Sequence, residues 1–192
     1  MGSYDLVKTK LIGISGCTNS GKSTLCKFLK NEFKNSICLN QDDYYLERNE
    51  DNLEYVSEAD SFNFDVITAI DMDRFKKDII KLRDSGIYDF IFIDGFLIYA
   101  DRELVDLLDI KYFILLNKED SRRRRESRQY KTIDTPNYFE KCVWVEYSKY
   151  LKFCKSSYID IIYIDGTNPI QEIVNFVIND FKRCNFNLLN GH

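Results

Sequence analysis

Four groups of side chains in this chain have the types and spacing to do chemistry. The first is GCTNSGKS, residues 16–23: Gly16, four residues, then Gly21, Lys22 and Ser23. This is the pattern of a phosphate-binding loop. Glycines let the backbone turn its N–H groups onto phosphate oxygens, and the helix that follows adds the positive end of its dipole. Lys22 would reach the β- and γ-phosphates and the Ser23 hydroxyl would ligate Mg²⁺, with Thr18, Asn19, Ser20 and Thr24 completing the nucleotide-binding stretch. The second group is the adjacent pair Asp42 and Asp43 in LNQDDYYLE, at the end of a short apolar run. The third is two further acids, Asp94 in FIFIDGF and Asp65 beside Phe64 in FNFDV. The fourth is SRRRRESR, where Arg122, Arg123, Arg124, Arg125 and Arg128 surround a single Glu126.

Each group also has a plainer reading. Asp94-Gly95 could be a strand-ending turn, and the same pair recurs at Asp165-Gly166. Asp65 precedes VITAIDM and could cap a helix there. Runs of charge are usually solvated faces. Against that, arginine is the residue that clamps phosphates bidentately, so two or three of the five are expected to close over a nucleotide. Asp94, ending an apolar run beside the phosphate loop, is expected to bind Mg²⁺ directly or through water.

The elements needed to hold these groups are visible as apolar runs. Lys10 to Ser15, Ser36 to Leu39, Phe90 to Ile93, Tyr112 to Leu116 and Ile159 to Ile164 read as strands, with little alternation, as in a parallel sheet covered on both faces. Helical spacing marks Ser23 to Phe33, Ile70 to Leu82, Phe139 to Phe153 and Ile170 to Phe181. Strands alternating with helices predict an α/β doubly wound fold, whose ligands bind at the carboxyl ends of the strands. Asp42 and Asp43 then lie on the side of the phosphate loop, and strand alternation predicts that only one of them faces it. The acidic stretch Tyr44 to Phe64 is long for a loop and reads as functional.

Composition narrows the function classes. The chain has 192 residues, 44% apolar and 30% charged, enough for one domain with a sizeable core. A net charge of -4 gives no basic field for nucleic acid. Six cysteines without a CxxC pair argue for buried thiols in a reducing compartment, and the single histidine, His192, removes histidine bases and ligands. No apolar run has membrane-spanning length and none reads as a signal segment, so the cytoplasm, with the nucleus as alternative, is expected; a monomer is the expected state, with an oligomer as alternative.

One rival class has a specific motif. LLNKED carries Asn117, Lys118 and Asp120, which match the NKxD that reads guanine in GTPases. However, Asp94 has no glycine three residues on to sense a γ-phosphate, and a purine-reading loop has no need of the arginines that follow. A helix cap by Asn117 or Ser121 gives the same letters.

GISGCTNSGKSTL, QDDYY, NFDV, IDGFLIY, RRRESRQY, TPNYFEKCVW and YIDGT stand in the order and approximate spacing of the nicotinamide riboside kinases, which this chain resembles from about Leu11 to about Thr167. The resemblance implies a five-stranded parallel sheet with flanking helices and an Arg-rich lid at about 121–136. It also implies a nucleoside-binding insertion at about 44–64 and transfer of the γ-phosphate of ATP, or GTP, to the 5′-hydroxyl of nicotinamide riboside. Carried over residue by residue, it makes Asp42 the base, Asp65 and Arg125 the ribose clamp, and Phe64 and Tyr130 the stacking pair for the ring. It makes Arg124 and Arg128 lid contacts to ATP, and Asp134 an acid near the base. The family often has Tyr where Phe64 stands and can have Glu where Asp94 stands. NFD also echoes the uridine kinases, so uridine or cytidine phosphorylation is the alternative; a GTPase-like switch or non-catalytic nucleotide module is the alternative of another class.

Overall fold

The computed structural model describes residues 9–47, 53–127 and 134–183. Among the described residues there are seven strands and six α-helices. The strands are β1 Lys10–Gly16, β2 Ser36–Asn40, β3 Tyr55–Val56, β4 Ser61–Phe62, β5 Phe90–Asp94, β6 Ile110–Leu115 and β7 Ile161–Asp165. The helices are α1 Lys22–Glu32, α2 Met72–Asp84, α3 Arg102–Leu107, α4 Lys118–Glu126, α5 Trp144–Ser157 and α6 Ile170–Arg183. Five strands form one parallel sheet in the order β2-β5-β1-β6-β7. The chain leaves β1 toward β2 on one side and later reaches β6 on the other. The ends of β1, β5 and β2 therefore flank the switch point at which a doubly wound sheet binds its ligand.

Both faces of the sheet are buried, which is why its strands read as continuous apolar runs. Ile12, Ile14, Phe90, Phe92, Tyr112 and Ile114 pack on the α1 and α6 side with Leu25, Leu29, Val177 and Phe181. The alternate residues Leu11, Ile91, Ile93 and Phe113 pack on the other side with Phe75, Ile79, Leu104 and Tyr150. Phe181 is fully buried among Phe90, Phe92 and Tyr112, with ring centroids 5.8–6.3 Å away. Its truncation to alanine would cost about 3–5 kcal/mol. The α2, α3 and α4 starts are fixed by Asp71, Asp101 and Asn117, whose side chains accept from Arg74, Leu104 and Asp120 backbone N–H groups.

The expected strands and helices are all present, with three differences. Ile159 is fully exposed, and the last strand begins at Ile161. Helix α3 has six residues, too short for a periodic signal. Within 44–64 the described residues include a two-stranded hairpin, β3 with β4, turned by Ser57–Ala59 and Asp60, which lies in the left-handed region at φ 45°. Among the described residues no helix is long and apolar enough to cross a membrane.

Candidate functional site

The phosphate loop joins β1 to α1. Gly16 ends the strand at φ 140°, Asn19 sits at φ 57° and Gly21 at φ 100°, so the segment coils instead of continuing either element. The first turn of α1 contains Lys22, Ser23 and Thr24 and no acid, which leaves its N–H groups and dipole available to an anion. Lys22 Nζ donates to the Cys17 carbonyl at 2.9 Å, holding the ammonium against the loop. Helix α4 braces the loop from above. Ser121 Oγ donates to the Thr18 carbonyl at 3.3 Å, and Cys17 Sγ donates to Ser121 Oγ at 3.2 Å. Burial pushes the Cys17 thiol up, so it serves as a neutral packing group. The Ser20 hydroxyl is buried with no hydrogen-bond partner among the described residues.

Across the switch point, Asp94 ends β5 in register with Ile14 of β1 and Asn40 of β2, and is 3% exposed. The turn after it is tight for a reason. A Cβ on Gly95 would lie 2.6 Å from Gln41 Oε1, and that oxygen accepts from Leu97 N at 3.0 Å. Buried Gln41 thus ties the end of β2 to the loop after β5. The Asp165-Gly166 pair differs from Asp94-Gly95: Asp165 is exposed and its carboxylate accepts from Thr167 N and Oγ1 in an ordinary turn.

Asp42 and Asp43 both lie in a short 3-10 turn, Gln41–Tyr44, and both are exposed. The strand stops at Asn40, whose side chain caps the turn by accepting from Asp42 N at 3.0 Å. Strand alternation therefore does not separate the two acids; a tight helical turn does. Tyr44 closes that turn inward, donating to Asp78 at 2.8 Å. With β5 between β2 and β1, about 10 Å of lateral space lies between the Asp42 turn and the phosphate loop.

The remaining candidates converge from the hairpin, α4 and the segment before α5. Asp65 does not cap a helix: α2 starts at Met72 with Asp71 as its cap. Instead Asp65 Oδ2 accepts from Tyr138 Oη at 2.9 Å, and the same phenol accepts from Phe64 N at 2.9 Å. Burial raises the Asp65 carboxyl above its ordinary range, opposed by the Arg125 guanidinium and the Tyr138 hydrogen bond. Arg125 forms a bidentate pair with Asp134 at 2.6 and 2.9 Å and donates to Thr18 Oγ1 at 3.1 Å, so it links the phosphate loop to the segment preceding α5. Arg124 donates to the Gly166 carbonyl at 3.0 Å. Arg122 and Arg123 face solvent and pair with Glu126, Glu140 and Asp120. Arg128 and Tyr130 lie outside the described residues. A narrow cleft lined by Gly16, Thr18, Asp65, Phe96, Leu97 and Val143 joins the phosphate loop to the Asp65 side.

Ser23 and Asp94 offer one hydroxyl and one carboxylate, and among the described residues no cluster of three or more acidic, histidine or cysteine ligands adds to them. Hard oxygen donors in small number suit Mg²⁺, which keeps several waters and takes further ligands from phosphates. Asn117 accounts for the NKxD letters: it caps α4 by accepting from Asp120 N at 2.8 Å and donates to the Asp120 carboxylate at 2.7 Å. Sequence reasoning gives no role to Tyr138 or Gln41, and gives Ser121 none beyond that of a candidate helix cap. All three act through partners more than 50 residues away, and no local pattern announces such contacts.

No protein-family model matches the chain. Individual proteins do. It is 30% identical over 190 residues to nicotinamide riboside kinase 1 of Rattus norvegicus, covering 92% of this chain and 96% of that one. It is 31% identical over 188 residues to nicotinamide riboside kinase 2 of Mus musculus, covering 90% and 95%. Among solved structures, a gluconokinase from Sinorhizobium meliloti 1021 superimposes with a TM-score of 0.57 at 16% identity, covering 97% of this chain and 99% of that one, which speaks for the fold alone. With near-full-length identity at this level on both sides, the chain belongs to the nicotinamide riboside kinase family.

Proposed function

We propose that this enzyme transfers the γ-phosphoryl group of ATP to the 5′-hydroxyl of nicotinamide riboside, and of nicotinic acid riboside, giving the mononucleotide and ADP for NAD salvage in the cytoplasm. What supports this reading is that Arg125 bonds Thr18 of the phosphate loop, that Tyr138 bonds Asp65, and that the Asp42 turn follows β2 at the carboxyl edge of the same sheet, in a chain with near-full-length kinase relatives. ATP lies with its β- and γ-phosphates on the Gly16–Ser23 backbone and on Lys22. Ser23 and Asp94 would hold Mg²⁺, which would supply neutralising charge to the phosphates. Asp65 and Arg125 hold the ribose hydroxyls, and Phe64 stacks under the ring. Asp42 accepts the 5′-hydroxyl proton as the new P–O bond forms and the bond to the β-phosphate oxygen breaks. Lys22, Arg124 and Arg128 spread the charge that develops. Positioning and electrostatics supply most of the rate in such a transfer.

The lid is taken as the 121–136 segment, within which Arg125 pairs with Asp134 while also reaching Thr18 of the phosphate loop. The test is a coupled ADP-release assay with nicotinamide riboside, nicotinic acid riboside, uridine and cytidine, with ATP or GTP as donor. The two pyridine nucleosides should exceed the pyrimidine nucleosides at least tenfold in kcat/KM. Preference for uridine or cytidine would replace the substrate assignment, and slow GTP hydrolysis indifferent to any nucleoside would replace the reaction class.

A further inference from the structure

Among the candidate nucleoside residues, Phe64 and Asp65 are adjacent in sequence but have different tasks, stacking and hydrogen bonding. Something must fix the backbone of one and the carboxylate of the other at the same time. Tyr138 does both through one oxygen: Oη accepts from Phe64 N and donates to Asp65 Oδ2, each at 2.9 Å. Among the described residues no hydrogen bond reaches Asp65 Oδ1. The Tyr138 ring also lies under the Arg125 guanidinium, 6.0 Å from its centroid. One buried side chain, 5% exposed, therefore touches three candidate nucleoside residues from two other parts of the chain.

Its own position is over-determined. Tyr138 packs with Ala59, Phe139, Cys142 and Val143. Its segment is stitched to the β3–β4 turn by Thr135 Oγ1 donating to the Ala59 carbonyl, Asn137 Nδ2 to the Glu58 carbonyl at 3.3 Å, and Lys141 to the Glu58 carboxylate at 2.8 Å. Asn137 takes φ 67° to bring the tyrosine in, and a five-residue π-turn, Phe139–Val143, follows at once. Such wide turns recur at functional sites because they re-aim side chains that an α-helix would not. Burial first, and then the Asp65 charge, push the Tyr138 phenol far above its ordinary range, so it remains a neutral donor wherever Asp65 is an anion.

We propose that Tyr138 is the positioning residue of the nucleoside half of the site: its hydroxyl holds the Asp65 carboxylate so that one oxygen is presented to the ribose, and holds the Phe64 backbone so that the ring of Phe64 lies at the matching height. The proposal rests on the reading of Asp65 as a ribose ligand. Removing the hydroxyl leaves the ring, the packing and the charge of Asp65 in place but frees the carboxylate to rotate. The loss falls on nucleoside capture and spares ATP.

The experiment is a double-mutant cycle: wild type, Tyr138→Phe, Asp65→Asn and the double variant. Each is assayed for nucleoside KM, ATP KM and kcat, with nicotinamide riboside as substrate, and its thermal-unfolding midpoint is recorded. Tyr138→Phe should lower nucleoside kcat/KM about 10- to 30-fold, mostly through KM, with ATP KM within about twofold; in the Asp65→Asn background the same change should cost less than about threefold. Equal losses in both backgrounds, or no loss in the first, overturn the proposal. Unchanged nucleoside KM in Asp65→Asn alone overturns the ribose reading, and the positioning role with it. Cys142→Ala loosens the same buried cluster without touching the phenol and should leave nucleoside KM where it is. A rise there matching Tyr138→Phe would show that the effect is packing, and would also overturn the proposal.

Discussion

Gly16→Ala separates the geometric demands of the phosphate loop from the general tolerance of a glycine. A Cβ at Gly16 would lie 2.2 Å from the Ile114 carbonyl oxygen and 2.8 Å from the Ile114 nitrogen. Neither can yield cheaply. Ile114 is the register partner of Gly16 in the sheet, and its carbonyl accepts from Cys17 N at 3.1 Å. Relief requires the first turn of the loop to lift from β6. Backbone strain at φ 140° contributes about 2 kcal/mol, overpacking against fixed backbone about 2, and the strained Cys17 hydrogen bond about 1. Because one shift relieves part of each, the net cost is about 4 kcal/mol, and the melting point should fall by about 12 °C for a chain of this size. Gly86→Ala is the matched control: φ is 63°, nothing lies within 4 Å of its Cβ, and only conformational strain of about 1 kcal/mol remains. The assays are thermal and urea unfolding, with ATP KM measured in parallel; Gly16→Ala should also raise ATP KM at least tenfold, while Gly86→Ala leaves it unchanged. Equal destabilisation by the two substitutions, or an intact ATP KM in Gly16→Ala, would refute the steric argument.

Three further outcomes are expected. Asp42→Asn should lower kcat by about 10²–10⁴ while ATP binding, followed by calorimetry, stays within about threefold; unchanged turnover removes Asp42 from the role of base. Asp94→Asn should raise the Mg²⁺ concentration for half-maximal rate by about tenfold or more, read from a Mg²⁺ titration at fixed ATP; an unshifted curve would take the metal away from Asp94. The carboxyl of Asp65 titrates above its ordinary value, so nucleoside kcat/KM should fall with decreasing pH through that raised value, and the stability cost of burying the anion should be absent below the ordinary value and complete above the raised one. Removing the cation in Arg125→Met should move this acid limb to still higher pH, and a limb that stays put would mean that Arg125 does not stabilise the anion.

How much was legible in the sequence depended on the range of the interaction. The sheet strands are buried on both faces, so unbroken Ile, Phe and Tyr runs marked them to within two residues at each end. The phosphate loop was legible because its chemistry is local: Gly16 and Gly21 need positive φ, and Lys22 and Ser23 follow in the same turn. The Asp42–Asp43 pair is misread geometrically, because strand alternation is carried past the apolar run that ends at Leu39, and nothing in NQDDYY announces the 3-10 turn that follows. Asp65 was ambiguous for a similar reason, since an acid before a helical run resembles a cap until the true cap, Asp71, is seen. The NKED letters were the reverse case, a functional signature that helix capping by Asn117 produces by itself. Gln41 and Tyr138 were invisible, since their meaning lies in Leu97 and Asp65, and pairing across such distances needs the fold.

The bond between Ser121 and the Thr18 carbonyl gives the Arg-rich helix a mechanical character. Ser121 is fully buried near the start of α4, whereas Arg124 and Arg125 stand one turn farther along. The helix is thus a short lever pinned close to one end. Four residues of α-helix span about 6 Å, so a tilt of about 10° at the pin moves the backbone of Arg125 by about 1 Å. That is enough to part a guanidinium from a partner at hydrogen-bonding distance. A helix held in this way can release or regain its far contacts, the bond from Arg125 to the Thr18 hydroxyl among them, while Ser121 keeps its hold on the Thr18 carbonyl.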